Sequence, residues 1–323
     1  MESTTPTAPS EPECTTAVPD ANGYVPPTAC NANYGFYPSW GWNLAFAVFF
    51  GITTLIHLVQ MFVYRKWFSW VVVMGSLWEL LCFVFRTIGA RDQQNQDYVI
   101  VSTLLFLLAP LWINAFVYMI VARLVHFLLP NERVLSMSPR WLAKIFVTAD
   151  VASFLIQAVG GAMLASTENS DIKITGQRIY MGGIGVQLFF VLVFAVVTVV
   201  LFRRLERKIN NGTLARSRSW VRPLVLVLIA VILLIVVRVI FRLVEFGGGV
   251  SEANPILTNE AYVLGLDALP MLIALIILNV VHPGLVLKGP ESSFPRGWKR
   301  RSRAKSEGTE PLSDFELGHR DGA

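Results

Sequence analysis

Apolar residues along this chain are grouped into seven long runs, which short polar links separate. A membrane-spanning helix needs about 20 predominantly apolar residues, and each run is long enough to meet that requirement. Transmembrane β-strands alternate apolar and polar positions, whereas these runs are continuous and therefore favour helices. The pattern predicts an all-α membrane protein, a seven-transmembrane helix bundle. The predicted spans cover roughly residues 43–64, 68–88, 98–121, 143–165, 180–202, 223–246 and 258–281.

The composition agrees with this interpretation, and the basic residues predict an orientation. Charged residues make up 15% of the chain, whereas soluble domains carry about 25%. With the first span running inward, only Arg91, Lys173 and Arg178 lie in external links, and most other Lys and Arg lie on the opposite side. Cytoplasmic loops carry the excess of basic residues, so we expect the N-terminus outside and the C-terminus in the cytoplasm. The net charge of +5 then describes a surface beside anionic lipid, not a nucleic-acid-binding surface.

Three regions follow from this pattern. They are a tail at residues 1–36, a membrane domain at 37–287 and a second tail at 288–323. The first tail is rich in Pro, Thr, Ala and Glu, a composition typical of disorder, and we expect it to be extracellular. Cys14 and Cys30 both lie in it on the oxidising side, which makes a disulfide between them plausible. The second tail is basic and then acidic, and its basic part is expected to contact anionic lipid at the cytoplasmic face.

Charged and polar side chains within the spans fall on shared helix faces. Arg238, Arg242 and Glu245 are spaced i, i+4 and i+7 and therefore lie on one face of the sixth span. Charges at this depth avoid lipid, so they face the bundle interior or a wet cavity and find partners there. The candidate residues for an intramembrane polar network or a cargo site are Glu79, Arg86, Asp150, Gln157, Gln187, Arg238, Arg242, Glu245 and Asp267.

The expected pairing within this set follows from approximate depth in the spans. We expect two acids to neutralise two arginines, with one further acid and one further arginine at the rim. Glu79 and Asp267 are expected to neutralise Arg86 and Arg238. Glu245 and Arg242 are expected to lie at the rim. Pro270 removes a backbone hydrogen bond three residues after Asp267, which predicts a kink and a polar notch beside that acid. Whether the network fixes helix packing or binds cargo or a proton stays open at this point.

Several motifs occur in a fixed order along the spans. They are Tyr37-Pro38, Gly75-xxx-Glu79 with Arg86, Pro110 with Ala115 and Tyr118, Asp150-Val-Ala-Ser153 with Gln157 and Gly160-Gly161, Gly183-xxx-Gln187, Arg238-xxx-Arg242-xx-Glu245, Glu260, Tyr262, Asp267 and His282-Pro283-Gly284. On these motifs the sequence resembles the fungal lipid-translocating exporter family, the RTA-like or "resistance to aminocholesterol" proteins. Two departures are Cys82-Phe83, where the family is expected to have Gly-Tyr, and Ser102, where it usually has Gln.

The resemblance implies a multi-pass protein of the plasma membrane, or of another endomembrane, that translocates or exports amphipathic lipids. The implied partners are membrane lipids or amphiphilic small molecules, such as sphingoid long-chain bases, sterol-like toxic compounds and, in some members, porphyrins. No cofactor, metal or catalytic residue is implied, and the oligomeric state stays open. The sequence contains no GxxxxGK[ST] phosphate loop, so this chain is not expected to hydrolyse ATP itself.

Two other functions fit parts of the pattern. A seven-helix lipid sensor or receptor would have the same topology, although the third span lacks Asp-Arg-Tyr and the seventh lacks NPxxY. An intramembrane lipid hydrolase would use several His with Asp and Ser around zinc. The histidines His57, His126 and His282 lie in or just beyond three different spans, without HxxxH or HExxH spacing, which is not the pattern of a compact zinc site.

Overall fold

The computed structural model of the protein describes residues 15–26, 29, 31–128, 139–166, 170–211, 220–249 and 254–287. Within these ranges, seven helical segments are long and apolar enough to cross a membrane, which confirms the predicted all-α bundle. Cys14, Cys30 and the tail at 288–323 lie outside the described residues. The predicted disulfide and the predicted lipid contact of the tail therefore stay predictions.

In the described part of the chain, six uninterrupted helices and one interrupted helix form the spans. Their bounds are α1 Trp40–Val63, α2 Trp70–Gly89, α3 Gln96–Leu128, α4 Pro139–Ser166, α5 Ser170–Asn210, α6 Val221–Gly247, α7 Glu260–Val263 and α8 Leu269–Val280. A π-helical turn over Leu264–Ala268 joins α7 to α8, and together they form the seventh span. Helix α5 has 41 residues and extends past the predicted 180–202, because an apolar run marks only the part of a helix that lies in hydrocarbon.

The helices pack around a ring in chain order. Each of α1 to α5 contacts the next helix, and α8 closes the ring against α6 and α1. Helix α3 also contacts α5 and α6, and its Phe116 and Ile120 are fully buried. By contrast, Leu55 and Val59 of α1 are 61% and 52% exposed, as expected of side chains that face lipid. Polar side chains that are shielded from lipid must therefore lie in the interior of this bundle.

Glycines bring α4 and α5 into close contact. A Cβ added to Gly160 would lie 2.5 Å from the backbone nitrogen of Tyr180, and one added to Gly183 would lie 2.7 Å from Cγ of Gln157. Small residues allow the backbones of transmembrane helices to approach closely in this way. The approach places Nε2 of Gln157 at 3.1 Å from Oε1 of Gln187, so the two predicted glutamines form one hydrogen bond between the helices.

Part of the N-terminal segment packs against the bundle, which differs from the predicted disordered tail. The backbone N–H of Val25 donates to Oε1 of Gln93 at 3.1 Å, and Nδ2 of Asn33 donates to the Gln93 carbonyl at 3.0 Å. Val25 and Tyr34 are buried, and burial raises the pKa of the Tyr34 phenol above its ordinary value. The composition of a segment does not register such long-range contacts, so the expectation of disorder does not hold around these residues.

Candidate functional site

Asp267 is the centre of a buried ion network between α6 and the seventh span. It is fully buried within the π-helical turn, and its Oδ1 accepts a hydrogen bond from Nε of Arg238. Its Oδ2 lies 2.5 Å from Nε of Arg242 in a second ion pair. Arg242 also donates from NH1 to Oε2 of Glu245 at 3.1 Å. We call these four side chains the charge network, and its two acids balance its two arginines. Asp267 pairs with Arg238, which is one of the two pairings that the sequence left open.

A proline in α3 supplies one further partner of the charge network. Pro110 lies inside the helix and has no backbone N–H, so the carbonyl oxygen of Phe106, four residues earlier, loses its intrahelical donor. NH2 of Arg238 donates to this oxygen at 3.0 Å. The guanidinium carbons of Arg238 and Arg242 also lie 5.3 Å and 5.1 Å from the centre of the Phe106 ring. Helix α3 therefore holds Arg238 through the carbonyl group that Pro110 frees, and it contacts both arginines through the Phe106 ring.

The interruption of the seventh span coincides with Asp267. The N–H of Leu269 bonds to the carbonyl of Leu264, five residues earlier, which defines the π-helical turn. Pro270 follows directly and cannot donate to a carbonyl of the preceding turn. The sequence predicted a kink at Pro270, and the structure shows a π-helical turn before it instead. Single π-helical turns often mark functional sites, because they re-aim side chains relative to a regular helix.

A second cluster lies where α1 begins, α2 ends and α7 begins, and we call it the end clamp. NH2 of Arg86 lies 2.8 Å from Oε1 of Glu260, which also accepts from Nδ2 of Asn43 at 2.8 Å. Oε2 of Glu260 accepts from the backbone N–H of Ser39 at 2.7 Å. The predicted pairing of Arg86 was therefore wrong, because its acid is Glu260 rather than Glu79 or Asp267. The cause is the position of Arg86 in the last turn of α2, from which its long side chain reaches the end of the bundle.

Glu79 is fully buried in α2. The expectation that Glu79 helps to neutralise Arg86 was wrong. Neither of its carboxyl oxygens has a hydrogen-bond partner in the described part of the chain. Burying a carboxylate without a partner is unfavourable by several kcal/mol. Glu79 is therefore a candidate group for accepting a proton from, or releasing one to, the interior of the bundle.

Asp150 in α4 belongs to a separate polar cluster, which we call the Asp150 cluster. Its Oδ2 accepts hydrogen bonds from Nδ2 of Asn114 and from the hydroxyl of Tyr118, both at 2.9 Å. No arginine or lysine among the described residues forms an ion pair with it. Ser153 donates to the carbonyl of Ala149 in its own helix at 2.8 Å and adds nothing to this cluster. Neutral donors on α3 thus satisfy one oxygen of Asp150, whereas its Oδ1 is buried without a hydrogen-bond partner among the described residues.

A small cavity of about 30 Å³ lies between the charge network and the Asp150 cluster in the interior of the bundle. Its polar lining comes from Asn114 of the Asp150 cluster, from the Gln157 and Gln187 pair, and from Arg238 and Arg242. One water requires roughly 10–15 Å³ measured in this way, so the cavity has room for about two waters. It is far too small for a lipid, but it gives the charge network and the Asp150 cluster a common polar space.

The sequence left a zinc hydrolase site open, with His57 and His282 among its candidate ligands. No three His, Cys, Asp or Glu side chains among the described residues lie close enough together to hold a metal ion. The His282 ring stacks on Tyr64 with centroids 4.7 Å apart, and its Nδ1 accepts from the N–H of Gly284 at 3.0 Å. His57 is fully buried in α1. The described geometry of His282 is that of a helix-ending residue, since Pro283 and Gly284 follow it in a 3₁₀ turn.

Comparison with known proteins finds one matching family and several relatives from fungi. The family described as "RTA1 like protein" matches residues 72–290. The chain belongs to this RTA1-like family. The match takes in every member of the charge network and the Asp150 cluster, whereas Ser39 and Asn43 of the end clamp lie before it. No solved structure matches the chain significantly.

Among three curated relatives of this RTA1-like protein, two carry transport names. The chain is 42% identical over 294 residues to the "Probable lipid transporter atnI" of Emericella nidulans, covering 89% of this chain and 76% of that protein. It is 27% identical over 302 residues to the "Sphingoid long-chain base transporter RSB1" of Saccharomyces cerevisiae, covering 83% and 78% of the two chains. It is 31% identical over 211 residues to "Protein RTA1" of the same yeast, covering 65% and 64%.

Sequence reasoning did not include Glu260 among the site residues of this RTA1-like protein. Glu260 stands at the first position of α7, directly after the N-cap Asn259, and at that place an acid is common because it complements the helix dipole. The signal that could have revealed it was the match of Glu260 to the family's motifs. The buried Asn43 of α1 gave a second hint, since an amide in a span needs a partner.

Proposed function

We propose that this RTA1-like protein translocates or exports amphipathic lipids across a membrane without an ATPase of its own. The observation that carries the proposal is the 42% identity, over 89% of the chain, to a protein named as a probable lipid transporter. The second relative, named as a transporter of sphingoid long-chain bases, favours single-chain amines as cargo. The chain is proposed to be a transporter and not an enzyme.

The interior of the bundle supports movement driven by a gradient or by a proton rather than by a nucleotide. The charge network is balanced by its own members, so it does not require a charged cargo to be stable. Glu79 is buried without a partner in the described part of the chain, and a buried acid of this kind can release a proton as the neutral acid and take one up again as the carboxylate. The polar cavity next to the network, about 30 Å³, fits water but no lipid. In this conformation the cargo must therefore lie elsewhere.

The family resemblance and the charge pattern support a placement of the protein. We propose a multi-pass protein of the plasma membrane, as the resemblance implies, with its N-terminus outside and its C-terminus in the cytoplasm, since the basic residues are concentrated on one side. The basic part of the tail at 288–323 would then lie beside anionic lipid. In this orientation the end clamp lies at the outer surface of the membrane.

A lipid sensor is the second candidate, because seven spans with buried ion pairs also suit a receptor. Flux distinguishes the two functions. Purified protein in liposomes is expected to move labelled sphingosine across the bilayer at a rate that rises with the amount of protein. Protein-free liposomes and liposomes with heat-unfolded protein are the controls. Binding of sphingosine without any protein-dependent flux, with and without an imposed pH gradient, would favour the sensor.

A further inference from the structure

A groove of about 590 Å³ lies between the start of α1 and the start of the seventh span, apart from the charge network. Pockets that bind small molecules typically have about 300–1,000 Å³. One wall comes from the rings of Phe36, Tyr37, Trp42 and Phe46, and the opposite wall from residues 258–261 with Leu264, Gly265 and Leu269. The groove is the larger of the two spaces described here and the one with room for an amphiphile.

The groove is polar at one end and apolar at the other. The polar end has Ser39, Asn259 and Glu260, and the apolar end has Phe46 and Leu269 along the spans. Trp42 is 65% and Leu269 is 41% exposed, so the apolar end opens on the surface that faces lipid when the bundle spans a membrane. A ligand with one polar head and one apolar chain matches this division.

The chemistry of the polar end selects for hydrogen-bond donors. The Glu260 carboxylate accepts one bond at Oε2, from Ser39, and two at Oε1, from Asn43 and Arg86. A carboxylate has about four acceptor positions, so Oε2 retains one for a ligand. Because Arg86 already neutralises Glu260, the site does not demand a full positive charge. It suits a head that carries hydroxyl or amine donors, and it offers no surplus cation for a phosphate group.

We propose that this groove binds a single-chain amphiphile with amine or hydroxyl groups on its head, with the head at Glu260 and Asn259 and the chain along Phe46, Leu264 and Leu269. The inference rests on the proposed function, since it names the cargo class and the place where cargo meets the transporter. The end clamp would then join α1, α2 and α7 directly beneath the head of the ligand. Phospholipids with two chains and a phosphate are not expected to fit.

Gly265 allows a sharp test, because a side chain there fills the groove without meeting the protein. A Cβ at Gly265 has no atom within 4 Å. In Gly265→Phe the ring would occupy part of the space that the apolar chain of the ligand takes in the wild type. If two methylene groups of the ligand lose their contact with the apolar wall, binding weakens about tenfold. Gly182→Phe is the matched control, since Gly182 of α5 also has open space around it and does not line the groove.

The measurement is equilibrium binding of radiolabelled sphingosine to the purified, detergent-solubilised full-length protein. We expect Gly265→Phe to bind about tenfold more weakly than the wild type, and Gly182→Phe to bind like the wild type. Leu269→Trp, at the exposed rim, is a second variant that should also weaken binding if Gly265→Phe does not fold. Size-exclusion profiles and melting curves identify folded protein.

Three results would overturn the inference. They are wild-type affinity in both folded groove variants, absence of sphingosine binding to the wild type, and equal competition by a two-chain phosphatidylcholine. Failure of the groove is distinguishable from failure of the transport function, because binding in detergent needs no flux. A wild type that moves sphingosine while groove variants bind and move it normally would refute the groove alone. Groove-dependent binding without flux would refute transport and keep the site.

Discussion

Arg86 of α2 pairs with Glu260 of α7 at 2.8 Å, although the two residues are 174 positions apart in the chain. The same carboxylate accepts hydrogen bonds from Asn43 and from the backbone of Ser39 at the start of α1. A single acid thus fastens the ends of three spans. The pair is largely buried, with side-chain exposures of 13% and 7%, so its loss should be felt more than that of a surface ion pair.

Glu260→Gln is expected to destabilise the protein by about 3 kcal/mol, because it leaves the Arg86 guanidinium buried without its counter-charge. Adding Arg86→Gln should restore part of the loss. Melting temperatures of the purified variants give the comparison, with Glu206→Gln as control, since its partner Arg222 is 50% exposed and such pairs contribute only about 0–1 kcal/mol. Strictly additive effects of the two end-clamp substitutions would show that the residues are not coupled.

The sequence predicted the seven spans because hydrocarbon thickness sets a length that can be counted along a chain. It did not predict the partners of the charges, since partner choice depends on how each helix is rotated and tilted against its neighbours. Glu79 and Arg86 share one face of α2 and were therefore assigned to one cluster. In the structure Arg86 reaches the end of the bundle, whereas Glu79, two turns earlier, stays in the interior. Asp267 was expected to neutralise Arg86 or Arg238, and in the structure it pairs with Arg238, because depth alone did not distinguish the two arginines.

The departure at Cys82 and Phe83 has a clear structural consequence. Phe83 is fully buried and stacks on Phe46 and Phe50 with centroids 5.1 Å and 5.4 Å apart. An aromatic cluster of this kind between α1 and α2 fixes the wall that Phe46 contributes to the groove. Sequence comparison could flag the departure, but the contact partners of Phe83 depend on packing that a single sequence does not display.

Glu79→Gln tests whether the unpartnered acid exchanges a proton. Glutamine is neutral and nearly isosteric with the protonated acid, so we expect stability to change by less than about 1 kcal/mol. Glu79→Lys, which places a charge in the same space, should be strongly destabilised. If Glu79 couples transport to a proton, sphingosine flux through Glu79→Gln in liposomes should no longer respond to an imposed pH gradient. An unchanged response in the folded variant would remove Glu79 from the coupling.

The predicted orientation can be tested on intact cells with tags at both ends. We expect external protease to remove a tag at the N-terminus and to spare a tag at the C-terminus, because the basic loops should lie in the cytoplasm. Detergent-permeabilised cells are the control and should lose both tags. Loss of the C-terminal tag alone in intact cells would reverse the orientation and move the end clamp to the cytoplasmic surface.

Cys14 and Cys30 are expected to form a disulfide, because the N-terminal tail is predicted to lie in the oxidising extracellular environment. Mass mapping under non-reducing conditions should then recover a cross-linked peptide that reduction separates. Cys82 supplies an internal control, since it is a buried free thiol in α2. Reduction is expected to change the melting temperature little, because the predicted loop lies before the first span and does not hold the helices together. Recovery of both tail thiols in free form would exclude the bond.

Asp267 separates a structural role from a transport role more sharply than any other residue, because it binds two arginines at once. Asp267→Asn removes one negative charge from a buried set of four balanced charges and leaves Arg238 without its ion pair. Breaking a buried pair in this way is expected to destabilise the protein by about 3–5 kcal/mol. Expression at the cell surface should fall, and Asp92→Asn, an exposed acid, should leave it unchanged.

A second substitution, on α6, shows why expression of the Asp267→Asn variant falls. Combining Asp267→Asn with Arg238→Gln removes one charge of each sign, so expression should be partly restored, while Arg242 keeps its bond to Glu245. The restored protein is then assayed for sphingosine flux. Recovered expression with recovered flux would assign Asp267 to helix packing alone. Recovered expression without flux would show that the Asp267–Arg238 pair takes part in transport beyond helix packing. Full expression and full flux in the single Asp267→Asn variant would contradict both roles, because a buried carboxylate with two arginine partners would then contribute nothing measurable.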